Sequence, residues 1–321
     1  MLLSEALNRF YKSLIADGAA ASTVEWYTKR LKRLSAHLPD RELATVEADD
    51  LRDFVVGIRS RSERWADHPY RAVTEGGLSP STVRGYVRAV KRFFNWLEEE
   101  GIITTSQNPA VRLKLPRRPH QAPKAIDVDD LRRLLAVARG DSVWQKRNYA
   151  ILLFLADTGC RVGGLIGLKL GDVDLDRGVA LVTEKGTKAR FVMFTEPTGA
   201  ALKAWLEVRP DVHSDYVFLS WHGCSNGGLA LTVSGVNQML GRLKRRAGVS
   251  GRVNPHSLRH GFARQYLLNG GDLASLSDLM GHTDVQVTKE FYSIFLNEEL
   301  KQKHHKHSPV LSLLGLSHGD N

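Results

Sequence analysis

Between Val83 and Leu97 the chain places Val83, Tyr86, Val87, Val90, Phe93, Phe94 and Leu97 on one face at 100° per residue. Arg84, Arg88, Lys91 and Arg92 fall on the other face, which predicts a helix with one apolar and one basic side, the basic side being either a DNA-facing surface or simply a solvated face. The same spacing, with Leu, Phe and Tyr as apolar positions, predicts helices over residues 3–18 and 22–38. Another is predicted to open near Glu47, where acidic residues suit the positive end of the helix dipole. Residues 60–79 hold no period and contain Pro and Gly-Gly, so they read as a long loop. From 109 to 124 the pattern gives way to proline and basic residues (PAVRLKLPRRPHQAPK), a predicted linker in which Arg112, Lys114, Arg117 and Arg118 are placed to follow a phosphate backbone.

Helical periodicity resumes at about 127–139 and 142–157, and a short helix is expected after Gly159-Cys160. Alternation then replaces it. GDVDLDRG reads as a turn, VALVTE as a strand, KGTKAR as a second turn and FVMFT as a second strand. Helices near 196–208 and 232–247 follow, separated by a short strand-like YVFLS, and the chain is helical again after Asp272. The pattern describes a mainly α protein with a small antiparallel β-sheet, an α+β fold. Its expected divisions are a helical domain at 1–108, the linker, a second domain at 125–305 and a tail at 306–321.

Composition narrows the partners. Of 321 residues, 42% are hydrophobic and 25% charged, an ordinary globular balance. The net charge of +10 is spread over both halves, which favours a polyanion and nucleic acid first; a solvated basic surface is the alternative. Arg242, Lys244, Arg245 and Arg246 form a further basic run with the same two readings. Two cysteines, Cys160 and Cys224, are too few for a disulfide scaffold, which suits a reducing cytoplasm. The N-terminus interrupts its apolar residues with charge every few positions and reads as neither signal peptide nor membrane span.

The chemistry-bearing residues concentrate late in the chain. His256 and His260 are spaced i, i+4, as a helical metal pair would be. A zincin motif requires Glu where Ser257 stands, and Arg259 between the histidines would repel a cation, so no metal site is predicted. His256 and Arg259 at i, i+3 instead suit an anion, the guanidinium offering two donors and the imidazole one. Arg161 opens a helix after Thr158-Gly159, where backbone N–H groups add to such a site. Lys185 sits at the hairpin turn, with Lys188 and Arg190 as candidate DNA contacts. Gly281 before His282 fits either a close approach of the chain or a helix C-cap. His260 and Tyr266 read as packing residues.

The order TG-x-R, KG-x-K-x-R, H-x-L-R-H, LMGH and then Tyr292 resembles the tyrosine recombinase (phage integrase) family across residues 125–300. The helical first half looks like that family's core-binding domain, and the resemblance leaves no room for an additional N-terminal arm-binding domain. It implies that Arg161 and Arg259 clamp the scissile phosphate, with His256 and His282 hydrogen-bonding around it. It further implies that Lys185 protonates the leaving 5′ oxygen and that Tyr292 attacks to form a 3′-phosphotyrosyl bond. No cofactor is implied, because transesterification conserves the phosphodiester. The implied partners are double-stranded DNA carrying short core sites and, in the synaptic complex, three further copies of a chain that is a monomer or dimer when free, with residues 309–316 docking in trans. Two departures stand out. The family usually has an acid three positions after its first arginine, where this chain has Gly164. His282 to Tyr292 is ten residues rather than the common nine, and Phe291 at nine cannot attack. A DNA-binding protein that has lost the activity, and a type IB topoisomerase-like relaxing enzyme, are the alternatives.

Overall fold

The computed structural model describes residues 1–38, 40–64, 73–117, 124–184, 189–220 and 229–281, with residues 304 and 310. The chain divides into two compact units, Met1–Gln121 and Ala122–Asn321.

The first unit contains the helices α1 (Leu3–Ala16), α2 (Ala21–His37), α3 (Ala48–Arg59) and α4 (Pro80–Glu99). Helix α4 starts on Ser79, whose hydroxyl accepts from the Thr82 N–H, with Pro80 at the first helical position where its missing donor costs nothing. Its apolar face is buried as the periodicity requires. Phe93 and Trp96 meet Phe10 of α1 at ring-centroid distances of 5.6 and 5.4 Å, and the Trp96 indole donates to Ser13 Oγ at 3.0 Å. Burying aromatic rings of this size supplies much of the unit's hydrophobic stabilisation. The loop expected over 60–79 carries a two-residue antiparallel pair, β1 (Glu63–Arg64) and β2 (Thr74–Glu75).

The first part of the stretch expected to be a linker packs on the first unit. Ala110 and Leu113 are buried in the core of the first unit, and Lys91 Nζ donates to the carbonyls of Ala110 at 2.7 Å and Leu113 at 3.0 Å. Arg84 donates to the Pro116 carbonyl. Prolines had removed helical propensity here, but two apolar side chains and two cationic donors strap the segment to α4 all the same.

In the second unit, α5 (Val128–Ala138) and α6 (Val143–Thr158) lead to α7 (Val162–Ile166). The sheet follows, with β3 (Val173–Asp174), β4 (Val179–Thr183) and β5 (Ala189–Met193) in antiparallel order β3-β4-β5. It has one strand more than the alternation predicted, because Val173–Asp174 pairs with β4 inside the segment read as a turn. Strand β5 begins at Ala189, two residues before the apolar run, since Thr183 pairs with Ala189 and Val182 with Arg190. Helices α8 (Glu196–Leu206), α9 (Val233–Arg246), α10 (Pro255–Leu268) and α11 (Leu273–Met280) complete the described part. YVFLS makes only isolated bridges, Lys169 to Tyr216 and Leu219 to Ala230. The central α6 is buried along Ala150, Ile151, Leu152, Phe154 and Leu155, and packs against α8 and α10. That burial fixes the end of α6, where the site begins. The tail at 306–321 lies outside the described residues apart from Val310.

Candidate functional site

Helix α6 ends at Gly159 in the left-handed conformation, φ +58°. A Cβ there would lie 2.4 Å from Cδ1 of Phe262 on α10, so this glycine is required both by its φ and by the approach of the neighbouring helix. The Thr158 hydroxyl donates to the Phe154 carbonyl and accepts from the Cys160 N–H, closing the turn. Arg161 follows as the N-cap residue of α7 in an extended conformation, with its side chain 37% exposed.

Helix α10 opens with Asn254, whose side chain accepts from the Ser257 N–H at 2.9 Å, while Ser257 Oγ accepts from the Asn254 N–H. Pro255 occupies the first helical position. This N-P-x-S capping box sets the axis on which His256 and Arg259 are mounted. Arg259 is buried, and its two terminal nitrogens donate to the carbonyls of Gly159 at 2.6 Å and Met280 at 2.7 Å. One guanidinium thus ties the α6 turn to the end of α11, where unsatisfied carbonyls and the negative dipole end favour a cation.

Arg190 makes the parallel connection. It was expected as a DNA contact on the hairpin, but the structure places its side chain largely inside. There it donates to the Leu279 carbonyl at 2.7 Å and to Glu184 Oε1 at 3.2 Å. Gly281 ends α11 with φ +62°, and a Cβ on it would lie 2.6 Å from Arg190 Nε. Both reasons considered for this glycine, a C-cap and a close approach, therefore hold.

Glu184 is a member of this cluster that the sequence does not single out. Its carboxylate accepts from the Arg161 N–H at 3.0 Å, from the Arg161 guanidinium and from Arg190. Burial alone would push this carboxyl up, but the N–H bond and the two guanidinium charges outweigh it and hold it below the ordinary range. The signal available was the empty position at Gly164 together with an acid beside the hairpin lysine.

His256 is exposed at the start of α10, and its pKa is lowered by partial desolvation and then by the charges of Arg259, Arg252 and Arg161. Two elements distant in sequence, the α6–α7 turn and α10, therefore bring Arg161, Arg259 and His256 into one electrostatic neighbourhood. Arg252 was another unpredicted member. The lowered pKa leaves the imidazole neutral at pH 7 and able to accept a proton. His260, half-buried, is pushed down to about 4 by burial and its cationic neighbours. Cys160 is buried beneath the site, its thiol pushed up to about 11 by desolvation. Tyr266 packs on Phe262 at a centroid distance of 6.0 Å.

Lys185, Lys188, His282 and Tyr292 lie outside the described residues, as does Arg118. Of the remaining candidate DNA contacts, Arg112, Lys114, Arg117, Arg242 and Arg245 are exposed or in part so, and Lys244 Nζ donates to the Ser250 carbonyl at 3.1 Å. The α4 cations are already engaged within the first unit. Beyond the strap bonds of Arg84 and Lys91, Arg88 lies 5.0 Å over the Trp26 ring and Arg92 pairs with Glu99 at 2.8 Å.

Residues 124–297, more than half of the chain, match the phage integrase family. The chain belongs to that family. Tyrosine recombinase XerD of Listeria innocua serovar 6a is 28% identical over 94% of this chain and 99% of its own length. Tyrosine recombinase XerC of Alcanivorax borkumensis is 29% identical over 89% of this chain and 88% of its own length. Among solved structures, XerH site-specific recombinase bound to palindromic difH substrate, a post-cleavage complex, superposes with a TM-score of 0.71. That match has 20% identity and covers 93% of this chain and 83% of XerH, a likeness of fold. As a member of the phage integrase family with tyrosine recombinase relatives over nearly its whole length, the chain is a site-specific recombinase.

Proposed function

We propose that this recombinase cleaves and rejoins double-stranded DNA through a 3′-phosphotyrosyl intermediate. The observation that carries the reading is the convergence of Arg161, Arg259 and His256 in a family member whose sequence places Tyr292 after LMGH. The Tyr292 oxygen attacks phosphorus and the 5′ oxygen leaves, taking a proton from Lys185. Neutral His256 accepts the tyrosine proton, and His282 donates a hydrogen bond to the phosphate. The 5′-hydroxyl of a partner strand then attacks the phosphotyrosyl bond and releases Tyr292. Two guanidinia stabilise the extra negative charge of the five-coordinate phosphorus more than that of the ground state, which is what lowers the barrier. A neutral base matters because a tyrosine titrates near pH 10 unaided.

On this reading, 1–108 is the core-binding domain and 125–305 the catalytic domain, and four copies assemble around two DNA sites in the cytoplasm with residues 309–316 docking in trans. No described helix is long and apolar enough to cross a membrane. The test uses duplexes tiled across the DNA flanking the coding gene, each nicked beside the scissile phosphate so that the released fragment diffuses away. The wild-type chain should accumulate a covalent protein–DNA adduct, and Tyr292→Phe should bind the same DNA without forming one. An adduct that survived Tyr292→Phe would reassign the nucleophile.

A further inference from the structure

The site contains a carboxylate that the family pattern does not place there. We infer that Glu184 is the positioning residue for Arg161, delivering from the end of β4 the carboxylate that the family usually carries three positions after its first arginine. The inference rests on the recombinase reading of the site.

Position 164 and the Glu184 side chain lie against one another beside Arg161. A Cβ on Gly164 would lie 3.0 Å from Val182 Cβ and 3.6 Å from Glu184 Cγ, so position 164 faces the space that Glu184 already occupies. The carboxylate and the bare α-carbon are two sides of one replacement. Gly164 is buried in α7, one turn after Arg161, and its N–H donates to the Arg161 carbonyl at 2.9 Å. An acid at 164 would reach Arg161 from within its own helix; Glu184 reaches it from the neighbouring strand.

What Glu184 holds is specific. One oxygen takes the Arg161 N–H at 3.0 Å and the other takes the guanidinium, so backbone and side chain are anchored by the same carboxylate. With the Glu184 side chain 6% exposed and that of Arg161 37% exposed, the inner edge of the guanidinium is fixed while its outer part faces solvent. An anion at that outer part would meet a pre-oriented fork rather than a free side chain, which is the condition for bidentate phosphate binding. Two guanidinia share one carboxylate, so the cluster keeps a net positive charge. Through Arg190 the same carboxylate is joined to the Leu279 carbonyl, two residues before Gly281 and three before His282. Glu184 therefore registers the Arg161 turn, through Arg190, against Leu279 at the start of LMGH.

The test compares Glu184→Gln with the wild-type full-length chain on the nicked duplexes, measuring duplex affinity, melting temperature and single-turnover adduct formation at saturating protein. Glutamine keeps shape and loses charge. The expected result is unchanged affinity, a melting temperature lowered by the lost ion pairs with the chain still folded at the assay temperature, and adduct formation slowed roughly 10- to 100-fold, as displacement of a phosphate-binding group by up to about 1 Å costs. Adduct formation at the wild-type rate overturns the inference. A second arm covers loss of folding: Glu184→Gly, which lacks the carboxylate, is compared with Glu184→Asp, which keeps it. Faster adduct formation by Glu184→Asp supports the positioning role of the carboxylate, and equal rates overturn it. A wild-type chain that forms no adduct on any duplex overturns the recombinase reading and the positioning role with it, an outcome distinct from a normal wild type beside an unaffected Glu184→Gln.

Discussion

Gly159→Ala tests whether the α6–α7 turn is what holds the buried arginine. The residue sits at φ +58°, where an L side chain costs about 1–2 kcal/mol. The new Cβ would also lie 2.4 Å from Cδ1 of Phe262, well inside the usual carbon–carbon separation of about 3.5–4 Å. Relief requires Phe262, and with it α10, to move by about 1 Å, and overpacking of this kind costs about 1–3 kcal/mol. The two terms together predict a loss of roughly 2–5 kcal/mol, or on the order of 10 °C in the melting temperature of a unit of this size. The displaced helix carries Arg259, whose bond to the Gly159 carbonyl is 2.6 Å, so the clamp should loosen along with the fold. Calorimetry of the full chain reads the stability, and hydrogen exchange over Pro255–Leu268 reads the helix. Gly163→Ala is the control: no atom lies within 4 Å of its added Cβ, and alanine favours a helix by up to about 1 kcal/mol. If Gly159→Ala melts within about 1 °C of wild type and leaves exchange over α10 unchanged, the argument that this glycine sets the site is wrong.

Gly281→Ala should destabilise by roughly 1–3 kcal/mol and slow adduct formation, since it combines a left-handed φ with a 2.6 Å approach to Arg190 Nε; a neutral melting temperature would contradict this. Lys91→Met should lower the urea midpoint of the first unit by an amount equivalent to about 1–3 kcal/mol, because its ammonium holds two strap carbonyls; a variant that keeps its stability and only lowers the salt slope of DNA binding by about 1 would mark Lys91 as a phosphate contact instead. Acid should weaken the second unit. His260 titrates near 6.5 when unfolded and at about 4 when folded, so the unfolded chain binds more protons between those values and stability falls as pH drops through that window. Allowing for the ring's partial exposure, the loss is about 1–2 kcal/mol, seen as a lower urea midpoint at pH 5 than at pH 7; a slope that persists in His260→Gln would assign it elsewhere. Adduct formation should hold level from pH 8 down to about 6.5 because His256 titrates below its ordinary value, and an acid limb centred above about 6.5 would remove His256 as the base.

Several helix boundaries were legible because periodicity and caps are local: Ser79-Pro80 starts α4, and Gly159 and Gly281 end α6 and α11, whereas the Asn254-Pro255 start of α10 was not read. Arg161, His256 and Arg259 could be proposed only from their order with Tyr292 and the family resemblance which that order carries. Pairing could not be read, since it depends on partners far away in sequence. Val173–Asp174 is a strand only because β4 lies beside it, and the proline-rich segment is held only because Lys91 and Arg84 find its carbonyls. The same limit explains Arg190 and Glu184. A basic residue on a predicted hairpin and an acid at its edge carry no mark of burial, and their roles arise from Leu279 and Arg161, 89 and 23 residues away along the chain. Residue types and local spacing determined what chemistry this protein carries. Tertiary packing decided which charges face one another, because a guanidinium is committed by the carbonyl or carboxylate that folding brings within hydrogen-bonding distance.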